Sequence, residues 1–397
     1  MTFKRPQYYT LLKRIKEPRR CIQVIAGPRQ VGKTTIAASL LNELEGIAEY
    51  HSADDTSSYG AIWIDQVWES LRARLKIEKK HSAILILDEI QKIQDWSATV
   101  KKHWDRDTLE NQDIKLVLLG SSRLLMTDGL SESLMGRFEL IYTGHWGLGE
   151  MQKAFGFSVE QYQWFGGYPG AAAFTGDENR FKEYVRSSII EPTLVRDVMM
   201  TTKIDKPALL RQLLEVGLEY SSQIISFNRL LGQLQDAGNT TTLSKYLRLL
   251  EQAGFLSGLN KYSKRIIETK GTIPKFQVHN TALLSATKRA GFRETYMNPS
   301  EWGRIVESSV GTYLIEQVSK NANMSLHYWR EGNCEIDYVV SIGRQVVGIE
   351  VKSGEAGLSE KTAVRFKESF PGSKLLLVGK NGIAYETFME TELSDIV

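Results

Sequence analysis

Gly27-Pro28-Arg29-Gln30-Val31-Gly32-Lys33-Thr34 lies between an apolar run, Ile22 to Ala26, and a helical pattern from Thr35 to Leu44. It has the form G-x-x-x-x-G-K-[ST]. In that form the glycines let backbone N–H groups close around phosphates, the lysine reaches the β- and γ-phosphates, and the hydroxyl ligates Mg²⁺. The helix behind adds unpaired N–H donors and a positive dipole end, so Thr35 joins the phosphate-binding set. A plain glycine turn would not need a strand before it and a helix after it.

Working outward, Ala48 to Ser52 is predicted as a second strand, ending at Asp54-Asp55. The run Ala83 to Leu87 is apolar without interruption and ends in Asp88-Glu89. That pattern suits a central parallel strand covered on both faces, with its acids delivered at the carboxyl end of the sheet, where ligands bind. Asp88 is the candidate Mg²⁺ ligand, and Glu89 the group that polarises an attacking water. A helix cap at the strand exit explains one acid and not two. Another apolar run, Lys115 to Leu119, leads into Gly120-Ser121-Ser122-Arg123, where Ser121 is a candidate sensor of the terminal phosphate and a turn is the competing reading. Leu130 to Arg137 is predicted as a helix directly before a strand, Phe138 to Tyr142. Arg137 there is a candidate arginine finger, with a surface ion pair as the alternative.

The order of these pieces resembles the AAA-type branch of P-loop ATPases. More narrowly, "GPRQVGKTT", "ILDEIQ", "GSSRLL" and "ESLMGRFE" resemble a large group of bacterial and archaeal ATPases that carry a C-terminal domain of unknown function with an "IEVK"-type motif. The resemblance spans nearly the whole chain. It implies ATP and ADP as ligands, Mg²⁺ as cofactor, ATP hydrolysis, and a homo-oligomer if Arg137 acts on a neighbour.

Composition sets the bounds. The 397 residues suffice for two or three cores, and a net charge of +3 gives no broad nucleic-acid signature. The basic N-terminal segment, Lys4-Arg5 through Arg19-Arg20, carries Tyr8, Leu11 and Leu12 at helical spacing and reads as a helix with a solvated face. Two distant cysteines, Cys21 and Cys334, suggest no disulfide framework, and no apolar run is long enough to span a bilayer. A cytoplasmic protein with no membrane association is expected.

Beyond residue 150 the pattern becomes helical. Residues 151–205 are expected to form a lid over the nucleotide, with Arg186 or Arg196 as a possible phosphate sensor. Residues 206–290 read as three short helices and a hairpin, resembling a winged helix, with Ser226 and Thr241 or Thr242 as N-caps. Leu243, Tyr246, Leu247 and Leu250 would face inward, leaving Lys245 and Arg248 outward to meet phosphates of a nucleic acid, and Lys261, Lys264 and Arg265 would extend that surface. A winged helix serving protein contacts is equally open. The resembling group places an acid after the hairpin where this chain reads Val278-His279-Asn280-Thr281, and His279 reads as a local hydrogen-bonding residue.

Residues 291–397 present Trp302 to Val318 as an amphipathic helix bearing Glu307, followed by two strands around Gly343-Arg344. A two-residue loop there pairs Ile342 with Gln345, sets Asp337 opposite Glu350 and Glu335 opposite Lys352, and turns all four to one face. Two carboxylates that close call for a cation. The order helix acid, strand Asp, Glu-x-Lys resembles the restriction-endonuclease-like fold. That resemblance implies Glu307, Asp337 and Glu350 as Mg²⁺ ligands and Asp337, Glu350 and Lys352 as the catalytic set. A Glu/Lys ladder on a solvated hairpin, or a nuclease fold without chemistry, is the alternative.

The expected architecture is therefore an AAA-type P-loop α/β core (1–150), a helical lid (151–205), a winged-helix-like domain (206–290) and a small restriction-endonuclease-like α/β domain (291–397). The expected function is an Mg²⁺-dependent ATPase whose nucleotide state controls the C-terminal module. In one version that module acts on nucleic acid, and in the other it binds a protein partner and cuts nothing.

Overall fold

A computed structural model describes residues 3–55, 60–120, 133–199, 202–234, 238–263 and 272–396. The chain divides into two compact units, residues 1–144 and 145–397, so the three boundaries expected beyond residue 150 all fall inside the second.

The first unit is built on five parallel strands, β1 (Ile22–Ala26), β2 (Ile47–Ser52), β3 (Ser82–Asp88), β4 (Asp113–Gly120) and β5 (Phe138–Tyr142), in the order β2-β3-β4-β1-β5. Side chains alternate across a strand, and both faces are covered. Val24, Leu85, Leu87, Leu116 and Leu118 meet Trp63, Trp68, Trp96 and Trp104 on one face. Ile25, Ile86, Val117 and Leu119 meet Tyr8, Leu11, Ile15, Ile36 and Leu40 on the other. The helices supplying those residues are α1 (Pro6–Lys16), α2 (Lys33–Leu41), α3 (Ala61–Ile77) and α4 (Trp96–Leu109). Because every strand is parallel, β1 and β3 end on the same edge, which brings the Gly27 loop and Asp88 together.

The second unit opens with helices Leu148–Phe155, Val159–Phe165 and Glu178–Tyr184 and two π-helical segments, Val185–Ile190 and Thr193–Met199. Arg186 is engaged within this unit, donating from Nε to the Ala286 carbonyl at 2.7 Å. Three helices follow, α5 (Pro207–Glu219), α6 (Phe227–Leu231) and α7 (Thr240–Gln252), and then an antiparallel hairpin, β6 (Leu256–Leu259) with β7 (Lys275–Val278). Ser226 caps α6 as expected. Helix α7 starts earlier than expected, because the Asn239 side chain accepts from the Thr242 N–H at 2.9 Å and takes the cap. Leu243, Tyr246, Leu247 and Leu250 are buried and Lys245 and Arg248 exposed, as the spacing requires. Lys264 and Arg265 lie outside the described residues.

The unit closes with α8 (Pro299–Ser319), β8 (Met324–Glu331), β9 (Cys334–Ile342), β10 (Gln345–Lys352), α9 (Glu360–Ser369) and β11 (Lys374–Gly379), a mixed sheet in the order β11-β10-β9-β8. The β9–β10 register is the one the two-residue loop dictates: Ile342 faces Gln345 and Tyr338 faces Ile349. Among the described residues no helix is long and apolar enough to cross a membrane.

Candidate functional site

Strand β1 stops at Ala26 because the chain must turn sharply beside the exit of β5. A Cβ on Gly27 would lie 1.9 Å from the Thr143 carbonyl oxygen, so no larger residue fits. Gly32 has φ +90°, a left-handed conformation that only glycine adopts without penalty, and it is the N-cap of α2. Between them Pro28 and Arg29 are half-buried, Gln30 is exposed and Val31 is buried. Arg5 holds the loop from behind, donating from one guanidinium nitrogen to the Val31 and Gly144 carbonyls at 3.1 and 3.0 Å. That residue lies in the segment expected to be solvated, yet it is 4% exposed.

Lys33 opens α2 and is 7% exposed, with its ammonium group donating to the carbonyls of Gly27 at 2.9 Å and Pro28 at 2.6 Å. Thr34 and Thr35 are exposed on the first turn. The Thr34 hydroxyl donates to Asp88 Oδ2 at 2.8 Å, and the Tyr50 hydroxyl, from β2, donates to the same oxygen at 2.6 Å. Asp88 Oδ1 accepts from the Glu89 N–H at 2.8 Å. Burial, then the hydrogen bond to Asp88, raises the Tyr50 hydroxyl above the ordinary phenol value, so Tyr50 remains a donor. Glu89 has φ +52°. A non-glycine residue there costs on the order of 1 kcal/mol, and such strain gathers at functional positions. Its Oε2 accepts from Gln91 at 2.6 Å.

One hydroxyl and one carboxylate already within hydrogen-bonding distance form the hard-oxygen donor set that suits Mg²⁺, so Thr34 and Asp88 fit that ion. Ser121 lies outside the described residues. Arg137 immediately precedes β5, and its carbonyl accepts from Ile22 N–H at the amino end of the sheet. The loop lies at the carboxyl end, so Arg137 does not join the site of its own domain. Its guanidinium grips Asp105 at 2.8 and 3.1 Å, the ion pair named as the alternative.

A second charged cluster forms where β7, α8, β9 and β10 meet. Glu307 and Asp337 meet around a residue that the sequence did not single out, while Glu350 pairs with Lys352 nearby. Lys275 is fully buried. Its Nζ lies 2.6 Å from Glu307 Oε1, 3.7 Å from Asp337 Oδ1 and 4.0 Å from Glu335 Oε1, donates to the Asp337 backbone carbonyl at 3.0 Å, and sits 4.8 Å from the Tyr338 ring centroid. Lys352 Nζ pairs with Glu350 Oε1 at 2.6 Å. Asp337 Oδ2 accepts from the Val351 N–H at 2.8 Å where the backbone ladder ends.

Burial alone would lower the pKa of Lys275, but the Glu307 and Asp337 carboxylates outweigh it and hold the group firmly protonated. Burial and the Asp337 charge push Glu307 up to about 8 against the pull of Lys275, and raise Glu350 against that of Lys352. Among the described residues no group of three or more acidic, histidine or cysteine side chains is arranged to hold a metal ion. The expected Mg²⁺ ligand set of Glu307, Asp337 and Glu350 is therefore corrected: the Lys275 ammonium lies against Glu307 and Asp337, and Glu350 pairs with Lys352. His279 is a local partner as expected, its Nε2 lying 2.6 Å from Ser257 Oγ.

Comparison with known proteins agrees with the first unit. Residues 19–151 match the family model of an AAA domain, and the five-stranded parallel sheet fits the P-loop AAA fold. Residues 156–294 and 302–390 match two domains of unknown function, DUF8612 and DUF4143. No curated protein matches the chain. Among solved structures, a RuvB variant from Thermotoga maritima is 19% identical, with 64% of this chain and 86% of that chain covered at a TM-score of 0.35.

Proposed function

We propose that the first unit binds and hydrolyses ATP and that the second unit is a nucleotide-controlled module that does not cleave its partner. The observation that carries the first half is the meeting of the Gly27–Thr34 loop with Asp88 and Glu89 at one edge of the sheet, Thr34 bonded directly to Asp88. Lys33 donates to the neutral carbonyls of Gly27 and Pro28, bonds that it can exchange for the β- and γ-phosphates. Mg²⁺, held by Thr34 and Asp88, would neutralise charge on the phosphates. Glu89 would accept a proton from the water whose oxygen bonds to the γ-phosphorus as the bond to ADP breaks. Arg137 would act only on the nucleotide of a second copy, given its position at the opposite sheet edge, and light scattering with and without ATP tests for that assembly.

For the second unit, Lys275 among the acids favours the reading without nuclease chemistry. Exposed Lys245 and Arg248, beside a groove of about 610 Å³ lined by Ser226, Thr240 and Ser244, support a nucleic-acid partner bound through its phosphates. Phosphate release should be abolished in Lys33→Ala, and in Glu89→Gln should fall by roughly 10²–10⁴-fold while nucleotide still binds. Undiminished hydrolysis in Lys33→Ala refutes the assigned site.

A further inference from the structure

The groove formed by α6, α7 and the segment entering β7 has linings of two kinds. Along α7, Thr241, Ser244, Lys245 and Arg248 fall at i, i+3, i+4 and i+7, a polar stripe apart from the buried Leu243, Tyr246, Leu247 and Leu250. Among the described residues none that lines the groove is acidic, and neither Lys245 nor Arg248 forms an ion pair. The other lining is apolar: Phe227 opens α6, and Ile273 and Pro274 lead into β7. Ile273 is 49% exposed, and the half-buried Phe227 stacks on no other ring among the described residues. The Ile225 N–H donates to the Pro274 carbonyl at 3.1 Å, so backbone bonds already tie these two segments together before any ligand binds. A duplex keeps its base faces stacked inside and shows only edges and backbone, so an aromatic and apolar wall gains little from it. An unpaired strand offers its base faces as well, and a basic groove carrying an aromatic ring holds such strands by phosphate contacts and stacking together. At about 610 Å³ the groove has the size of a small-molecule cleft and takes a short length of one strand.

We infer that this groove binds single-stranded nucleic acid, with Lys245 and Arg248 on its phosphates and a base lying on Phe227 beside Ile273. The inference rests on the proposal of a nucleic-acid partner for the second unit and names the form of that partner. A net charge of only +3 agrees with it, since a narrow basic groove needs no broad basic face.

Fluorescence anisotropy of the full chain over a salt series tests this, with labelled strands of roughly 15 deoxythymidines or uridines and a duplex of the same length. At least one of the single strands should bind roughly tenfold or more tightly than the duplex. The preferred strand tells DNA from RNA. Lys245→Ala with Arg248→Ala should reduce the slope of log affinity against log salt by about 1.4, at about 0.7 for each phosphate of a single strand. Phe227→Leu should weaken single-strand binding roughly tenfold at an unchanged salt slope. Ile273→Ser, at an exposed position, should weaken it a few-fold, and it carries the test alone should Phe227→Leu lose its cooperative unfolding transition. Duplex binding as tight as single-strand binding, and sensitive to Lys245→Ala with Arg248→Ala, overturns the inference and leaves the nucleic-acid partner standing. Single-strand binding that neither Phe227→Leu nor Ile273→Ser weakens, or that keeps its salt slope without Lys245 and Arg248, also overturns it. No binding of either form overturns the inference and the nucleic-acid partner together.

Discussion

Lys33 and Lys275 are both buried ammonium groups close to the ends of strands that carry carboxylates, and they are held in opposite ways. Lys33 rests on two backbone carbonyls at 2.9 and 2.6 Å, and the nearby Asp88 is engaged by hydroxyls instead. Carbonyls carry only partial charge, so exchanging them for phosphate oxygens gains charge-assisted bonds. Lys275 is met by the acidic side chains of Glu307 and Asp337, and pulling it away leaves those buried acids without a counter-charge. The same residue types therefore make an open site in one unit and a closed one in the other. The sign and location of the partner charges make the difference.

That contrast is most easily broken by deleting the closed lysine. Lys275→Met should destabilise the second unit by about 3–5 kcal/mol in chemical denaturation, and adding Glu307→Gln should recover part of the loss, because the uncompensated acid goes with it. A harmless Lys275→Met would show that the cluster is not closed in the way described. A smaller effect concerns pH. Glu307 is raised to about 8 in the folded chain, so the native state holds a proton that the unfolded chain releases near the ordinary glutamate value of 4.5. The stabilisation from that proton is complete below the unfolded value and is lost as pH rises toward 8, with a slope of at most about 1.4 kcal/mol per pH unit. Lys275, raised from an already basic value, does not titrate in this window. The stability measured between pH 5 and 8 should thus fall with pH, and Glu307→Gln should flatten the curve. The smallest effect is expected at the open site. Tyr50→Phe removes one of the two hydroxyl donors to Asp88 Oδ2 and should cost about 1 kcal/mol, read as a few-fold loss in phosphate release with the protein still folded. An unchanged rate would mean that Thr34 alone positions Asp88.

How much of this was readable in the sequence depended on the distance along the chain between partners. The phosphate loop is contiguous, so its glycines, Lys33 and Thr34 could be read as a unit, and the Asp88-Glu89 pair followed from an apolar run long enough to be a buried strand. The β9–β10 register was equally readable, because a two-residue loop fixes it locally. Arg5, Tyr50 and Lys275 could not be found in this way. Arg5 reaches Val31 and Gly144 across 26 and 139 residues, Tyr50 reaches Asp88 across 38, and Lys275 reaches the Asp337 carbonyl across 62. A lone basic residue at a strand start or helix entry reads as solvated until the fold supplies its partners. The available hint was weak: Lys275 opens a short strand, Lys-Phe-Gln-Val, all of whose residues are buried. Arg137 shows the converse, since its place before β5 was readable while its engagement with Asp105 and its position on the opposite sheet edge required the sheet.

The most direct test of the open-versus-closed account is steady-state phosphate release from ATP and Mg²⁺, comparing the unmodified chain with Lys33→Ala and with Asp337→Asn. Lys33→Ala should abolish release, and Asp337→Asn should leave it within about twofold, the scatter expected of a change outside the catalytic site. Release that survives Lys33→Ala, or that disappears with Asp337→Asn instead, would place the chemistry in the wrong unit and contradict the assignment.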